Sequence, residues 1–347
     1  MVSVRPKSVP VEGVPSEARG RAVIRHPSLM LWVGIAGAVC VGILTAVQAR
    51  LNGALGMALG DGLFAALISM VFALTIMIVL SLVVPNGRAG FRELARGVRE
   101  RSIPWWMLAS GVAGAVTVAT QGLTVAVIGV ALFSVGVVAG QTVNGLVLDR
   151  VGYGPAGVVA ITPGRLLGAG LALVAVALAV SPELLAAVPL WMLMLPVVAG
   201  AGIAWQAATN GRLRARTGSA LTATLVNFIG GTILLSIAVA VNVSIVGLPT
   251  NLPTEPWLYV GGAAGMAYVL MSAALVRFTG MLLLGLASIV GQLVASVLLD
   301  IWWPATSGAG LWQSLAMVLL ALLAVAAAAI PWGRVRWRRL FGRLPRT

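Results

Sequence analysis

The chain has 347 residues, 60% of them hydrophobic and only 9% charged, and its formal net charge is +14. Ordinary soluble domains carry roughly a quarter of their residues charged, so water is excluded as the main solvent here. A lone cysteine, Cys40, excludes an internal disulfide framework, and a lone histidine, His26, sits in a basic tail without metal-ligand partners.

Residues 1–27 form that tail, with Arg5, Lys7, Arg19, Arg21 and Arg25. Its charge resembles a signal peptide, but the apolar run behind it is too long for a cleavable core and is expected to be retained. Apolar runs then recur at the roughly 20 residues a helix needs to cross about 30 Å of hydrocarbon. They are continuously apolar and do not alternate, which predicts helices and not a barrel. Ten spans are predicted, near 29–49, 62–84, 104–123, 128–148, 157–180, 188–208, 219–242, 257–276, 281–300 and 311–331. Cys40 falls in the first, as a small packing residue. Spans three and four are divided by a turn near Gly122 to Gly129, and spans eight and nine by one near Arg277 and Gly280.

The arginines follow this division. Those of the two tails, the five from Arg88 to Arg101, and Arg150, Arg165, Arg212, Arg214, Arg216 and Arg277 fall on one side of a ten-span bundle, and Arg50 alone on the other. The positive-inside rule then places both termini in the cytoplasm of a plasma (inner) membrane protein. The basic charge serves topology and anionic lipid. No folded nucleic-acid reader accompanies it, so nucleic acid is not an expected partner.

Two stretches read as copies. Gln48-Ala-Arg-Leu-Asn52-Gly53 recurs as Gln206-Ala-Ala-Thr-Asn210-Gly211, and Gly140-Gln141 leading to Asp149 recurs as Gly291-Gln292 leading to Asp300. Each Gln/Asn pair is spaced by four and shares a helix face. With an odd number of spans per half, the halves are expected to be inverted, with Gln48 and Asn52 near the outer face and Gln206 and Asn210 near the inner one. The fold class is therefore an all-α polytopic membrane protein of ten transmembrane helices in two inverted five-helix repeats, 28–180 and 188–331, between cytoplasmic tails 1–27 and 332–347.

An amide in hydrocarbon needs a partner, so Gln48, Asn52, Gln141, Gln206, Asn210 and Gln292 either hold helices together or line a site. They are the substrate-binding candidates. Asn227 of span seven, opposite Ser69 of span two, is a secondary one, as are Asp149 and Asp300, whose expected place is a membrane boundary. Ser272 and Thr124 are weaker. Gly111 and Gly114, with copies Gly262 and Gly265, are expected to permit close helix approach. No carboxylate lies at mid-span and no phosphate-binding loop or catalytic grouping occurs, so an enzyme, a metal site, a cofactor and ATP drive within the chain are not expected.

On these residues the chain resembles the YdcZ-like inner-membrane exporters, a branch of the drug/metabolite transporter superfamily, over most of residues 28–331. The resemblance implies ten helices in two inverted repeats and implies transport. One departure is that Ala295 and Ser296 stand where the first half has Asn144 and Gly145, so the halves need not contribute equally. The function expected is secondary transport by alternating access, as an exporter of small neutral or weakly charged metabolites or drugs; the alternative is a non-transporting scaffold or assembly factor. The partners are a small-molecule substrate and the lipid bilayer, with a homodimer left open.

Overall fold

A computed structural model describes residues 27–153, 158, 162–179, 186–250, 252–306 and 310–329. The basic tails and His26 lie outside them. The described residues form helices and no strand: α1 (Pro27–Leu59), α2 (Gly62–Val83), α3 (Pro85–Arg99), α4 (Gly111–Ile128), α5 (Val130–Arg150), α6 (Pro163–Ala179), α7 (Leu190–Thr217), α8 (Ala220–Val246), α9 (Gly261–Trp302) and α10 (Leu311–Ala329). Short 3-10 turns, Trp105–Leu108 and Pro256–Val260, lead into α4 and α9. Among the described residues seven stretches are long and apolar enough to cross a membrane, in α1, α2, α4 with its turn, α5, α7, α8 and Leu284–Trp302 of α9; α6 and α10 are shorter apolar helices.

Helix ends follow local chemistry. Asp61 caps α2, its Oδ1 accepting from the Leu63 and Phe64 amides at 2.9 Å, and Ser219 caps α8. Gly129 divides α4 from α5 at φ +87°, a conformation that glycine adopts without strain.

Three features differ from the sequence expectation. The arginine-rich segment after span two, for which no element is predicted, is a helix, α3. Three glycines lower its intrinsic propensity, but Gly87, Gly90, Leu94 and Gly97 form one buried stripe, with Gly90 set against Ser219 and Thr222. Second, α1 and α7 each continue eleven residues past Gln48 and Gln206. The amides therefore lie roughly 16 Å from the helix ends, deeper than predicted. Third, Cys40 is exposed on the outside of α1 and is not a packing residue.

The last segment combines two predicted spans. All 42 residues of α9 are helical, about 63 Å if straight, yet its ends meet, with the Trp257 and Trp303 rings 5.1 Å apart. Contacts with α1 trace the course. The first arm runs against α1, from Asn52 at Gly261 to Gly37 at Leu275, and the second runs with it, from Val39 at Gly291 to Arg50 at Trp303. The chain doubles back inside α9, with α1 against both arms; the Arg277 side chain lies outside the described residues.

Close backbone approaches hold the bundle, and they come in matching sets. A Cβ at Gly42 would overlap the Ser288 carbonyl and one at Gly291 the Val39 carbonyl; Gly200 and Gly140 stand likewise against Val137 and Val197. Gly262 meets the Ser69 carbonyl as Gly111 meets that of Asn227. Three glycine contacts of the first half thus recur in the second. Such approaches allow Cα–H···O contacts and dense packing where lipid offers no hydrophobic drive between helices. The largest apolar cluster surrounds α5, where Phe133, Val130 and Val137 join Ala46 and Ala49 of α1, Leu293 of α9 and Met317 of α10.

A candidate substrate cavity

Between the halves lies a cavity of about 60 Å³, room for a few waters and far below the roughly 300–1,000 Å³ that hold a drug-sized ligand. Six amide side chains line it: Gln48 of α1, Gln121 of α4, Gln206 and Asn210 of α7, Asn227 of α8 and Gln292 of α9. Thr45, Thr117 and Tyr268 add hydroxyls, and Met70, Phe133 and Phe228 add apolar surface. No charged side chain is among the lining residues.

Glycines make the room. A Cβ at Gly265 would overlap the Gln48 amide, and one at Gly114 would stand 3.2 Å from Gln206 Nε2. Gln206 Nε2 donates to Asn227 Oδ1 at 2.7 Å. Gln292 Nε2 lies 3.5 Å from Ser134 Oγ, the long end of hydrogen-bond distance. Among the described residues Asn210 Oδ1 is buried without a partner. The wall thus presents both donors and acceptors, the requirement for orienting an uncharged polar ligand.

Of the residues singled out by sequence, Gln48, Gln206, Asn210, Gln292 and Asn227 come together here. Asn52 lies off the cavity, fully buried, where its Nδ2 donates to Gln121 Oε1 at 2.6 Å and its Oδ1 accepts from Ser69 Oγ. It positions Gln121. Gln141 is half-buried on α5 and does not line the cavity. Asp300 accepts the Val130 and Ala131 amides at 2.8 and 2.7 Å, capping α5, and Asp149 pairs with Arg165. The two aspartates hold helix ends.

Sequence reasoning passed over Gln121 and Tyr268. Gln121 stands where the second half has Ser272, so a search for paired motifs misses it, although an amide inside the uncharged run from Trp105 to Asp149 is a signal in itself. Tyr268 stands where the first half has Thr117, and both line the cavity.

Each end of the bundle carries a stacked arginine. The Arg50 guanidinium lies 4.4 Å from the Trp303 ring centroid, and its Nη2 donates to the Pro304 carbonyl at 3.2 Å. At the other end Arg212 lies 4.6 Å from the Tyr153 centroid and 5.7 Å from that of Trp106, and donates to the Gly152 carbonyl at 3.1 Å. Around Arg212 the arginine-rich segments gather: Arg216 Nη1 donates to the Ser102 carbonyl, and Leu94, Ile103, Met107 and Leu213 share a buried cluster.

No curated protein matches the chain. The model of a family described as "Putative inner membrane exporter, YdcZ" matches it over residues 33–178 and again over 191–327. Both matches fall on the apolar helices that enclose the amide-lined cavity. The chain is a multi-pass membrane protein and belongs to the YdcZ family of inner-membrane exporters.

Proposed function

We propose that this protein is a secondary transporter that exports small, neutral or weakly charged solutes by alternating access, with the amide-lined cavity as its binding site. The observation that carries the reading is a central cavity lined from both halves by six amides and by no charge. An unpaired cation or anion there would meet no counter-charge and would cost several kcal/mol to desolvate. Molecules with both donors and acceptors suit the wall, the donors finding Asn210 Oδ1. The small volume fits a closed state of a path that widens when one end parts.

The architecture proposed is ten spans in two inverted five-helix repeats with both termini cytoplasmic. The doubling of α9, the two shorter apolar helices and the matching glycine contacts support the count and the repeat. The gathering of arginines at the Arg212 end supports the orientation. The proposal includes no catalytic group, cofactor or metal.

Flux of candidate solutes into vesicles holding the purified protein tests the reading. Gln48→Ala and Gln206→Ala are expected to abolish flux at unchanged abundance, because one intramembrane hydrogen bond is worth only about 0.6 kcal/mol of stability. Parallel losses of stability and flux would instead give these residues to the scaffold alternative.

A further inference from the structure

The two stacked arginines occupy corresponding places in the two halves without being copies. α7 repeats α1, Trp106 leads into α4 as Trp257 leads into α9, and Gly152-Tyr153 follows α5 as Trp303-Pro304 follows α9. The Trp106 and Tyr153 rings stand 5.6 Å apart, as the Trp257 and Trp303 rings stand at 5.1 Å. Yet the residue matching Arg50 in the repeat is Ala208, and Arg212 stands one helical turn further on. Inherited packing would keep the position. Here the position has moved and the arrangement remains: an arginine on an aromatic face, bonded to the backbone carbonyl of the segment that ends the paired helix.

Two residues from each arginine along its helix is an asparagine, after Arg50 and before Arg212, and here the ends differ. Asn52 is fully buried and bonded to both Ser69 and Gln121. Asn210 is half-buried with Oδ1 unpartnered among the described residues. Asn227, which stands where Ser69 does, is bonded to Gln206 instead, and Ser272, which stands where Gln121 does, donates to the Tyr268 carbonyl of its own helix. The cations differ in burial: Arg50 is 3% exposed, its Nε and Nη1 without a partner among the described residues, and Arg212 is half-buried beside a Tyr153 whose hydroxyl lies 3.0 Å from Thr209 Oγ1.

We propose that Arg50 and Arg212, with their aromatic seats, are the two gates of the transport path, that the bonds of Asn52 latch the Arg50 gate, and that the unlatched Arg212 gate is the one that opens from this conformation. This rests on the transport reading above. In the opposite conformation Asn227 leaves Gln206 for Asn210, the Arg212 end becomes the latched one, and the Gln206 amide is released to the cavity.

The test needs no known substrate. In full-length Cys40→Ser protein, Thr117→Cys places a thiol in the cavity, and a membrane-impermeant maleimide is added to vesicles of each orientation, with Arg96→Cys marking the Arg212 end. The expected labelling rate is roughly five- to tenfold faster from that end, the population difference that one stack or latch of about 1 kcal/mol supplies. Ser69→Ala, which unlatches Asn52, and Trp303→Leu, which removes the seat of Arg50 without changing charge, should each bring the two rates together, and Tyr153→Leu should spread them. Equal rates in the parent, no labelling from either side, or a ratio unmoved by both Ser69→Ala and Trp303→Leu at unchanged thermal stability overturns the proposal. A ratio that shifts as expected in a protein that carries no solute leaves the gates and removes the transport reading; flux with a fixed ratio does the reverse.

Discussion

Asp300 reaches across the bundle to the first turn of α5, its two carboxylate oxygens accepting the Val130 and Ala131 amides at 2.8 and 2.7 Å. The acid thus neutralises the positive end of a helix that begins 170 residues earlier in the chain. Gly129 makes room for it, since a Cβ there would stand 2.9 Å from Asp300 Oδ2. Asp300→Ala is expected to lower stability by about 1–2 kcal/mol, the worth of a helix cap. Asp149→Ala, which removes only a partly exposed ion pair with Arg165, should cost below about 1 kcal/mol. Thermal unfolding of the two variants in one detergent checks the ranking, and a larger loss at Asp149 would reverse it.

Glycine substitutions should separate by what a methyl group meets. Gly291→Ala and Gly140→Ala drive a Cβ into a carbonyl of the paired helix and should destabilise by about 1–3 kcal/mol each, the usual cost of overpacking. Gly145→Ala meets open space and should be neutral or stabilising by about 0.5–1 kcal/mol, because alanine is the better helix former. Unfolding midpoints measured side by side decide it.

Gln121 should behave as a binding residue and Asn52 as its support. Gln121→Ala is expected to remove flux as Gln48→Ala does. Asn52→Ala should weaken flux less, by roughly tenfold or under, since Gln121 remains in the wall and loses only the bond that orients it. Transport assays normalised to folded protein distinguish the two; full activity in Gln121→Ala would take that residue out of the site.

Orientation has its own check. In a Cys40→Ser background, Arg96→Cys on α3 should react with an impermeant maleimide only in inside-out vesicles, and Leu248→Cys, beyond the opposite end of α8, only in right-side-out ones. The reverse pattern would invert the topology.

Much of this molecule was legible in its sequence because hydrocarbon is a strict solvent. Long uncharged runs have to be helices, so α2, α5 and α8 lie close to their predicted limits, and the repeated Gln/Asn spacing marked three residues of the cavity wall. Tertiary packing decided the rest. α3 is helical through its buried stripe of Gly87, Gly90, Leu94 and Gly97 and not through propensity. Gln121 has no amide copy, so symmetry could not point to it. Whether Asn52 binds or supports depended on Ser69, seventeen residues away on another helix.

The position of α1 against the two arms of α9 also bears on biogenesis. Its principal partner, Gly261–Trp302, is made only after α8. Until that hairpin arrives, Arg50 lacks Trp303 and Pro304, and the glycine contacts of Gly42 and Gly37 are empty. The packing of α1 is therefore completed late, and a chain cut short before Gly261 leaves Arg50 without the ring and the carbonyl that hold it.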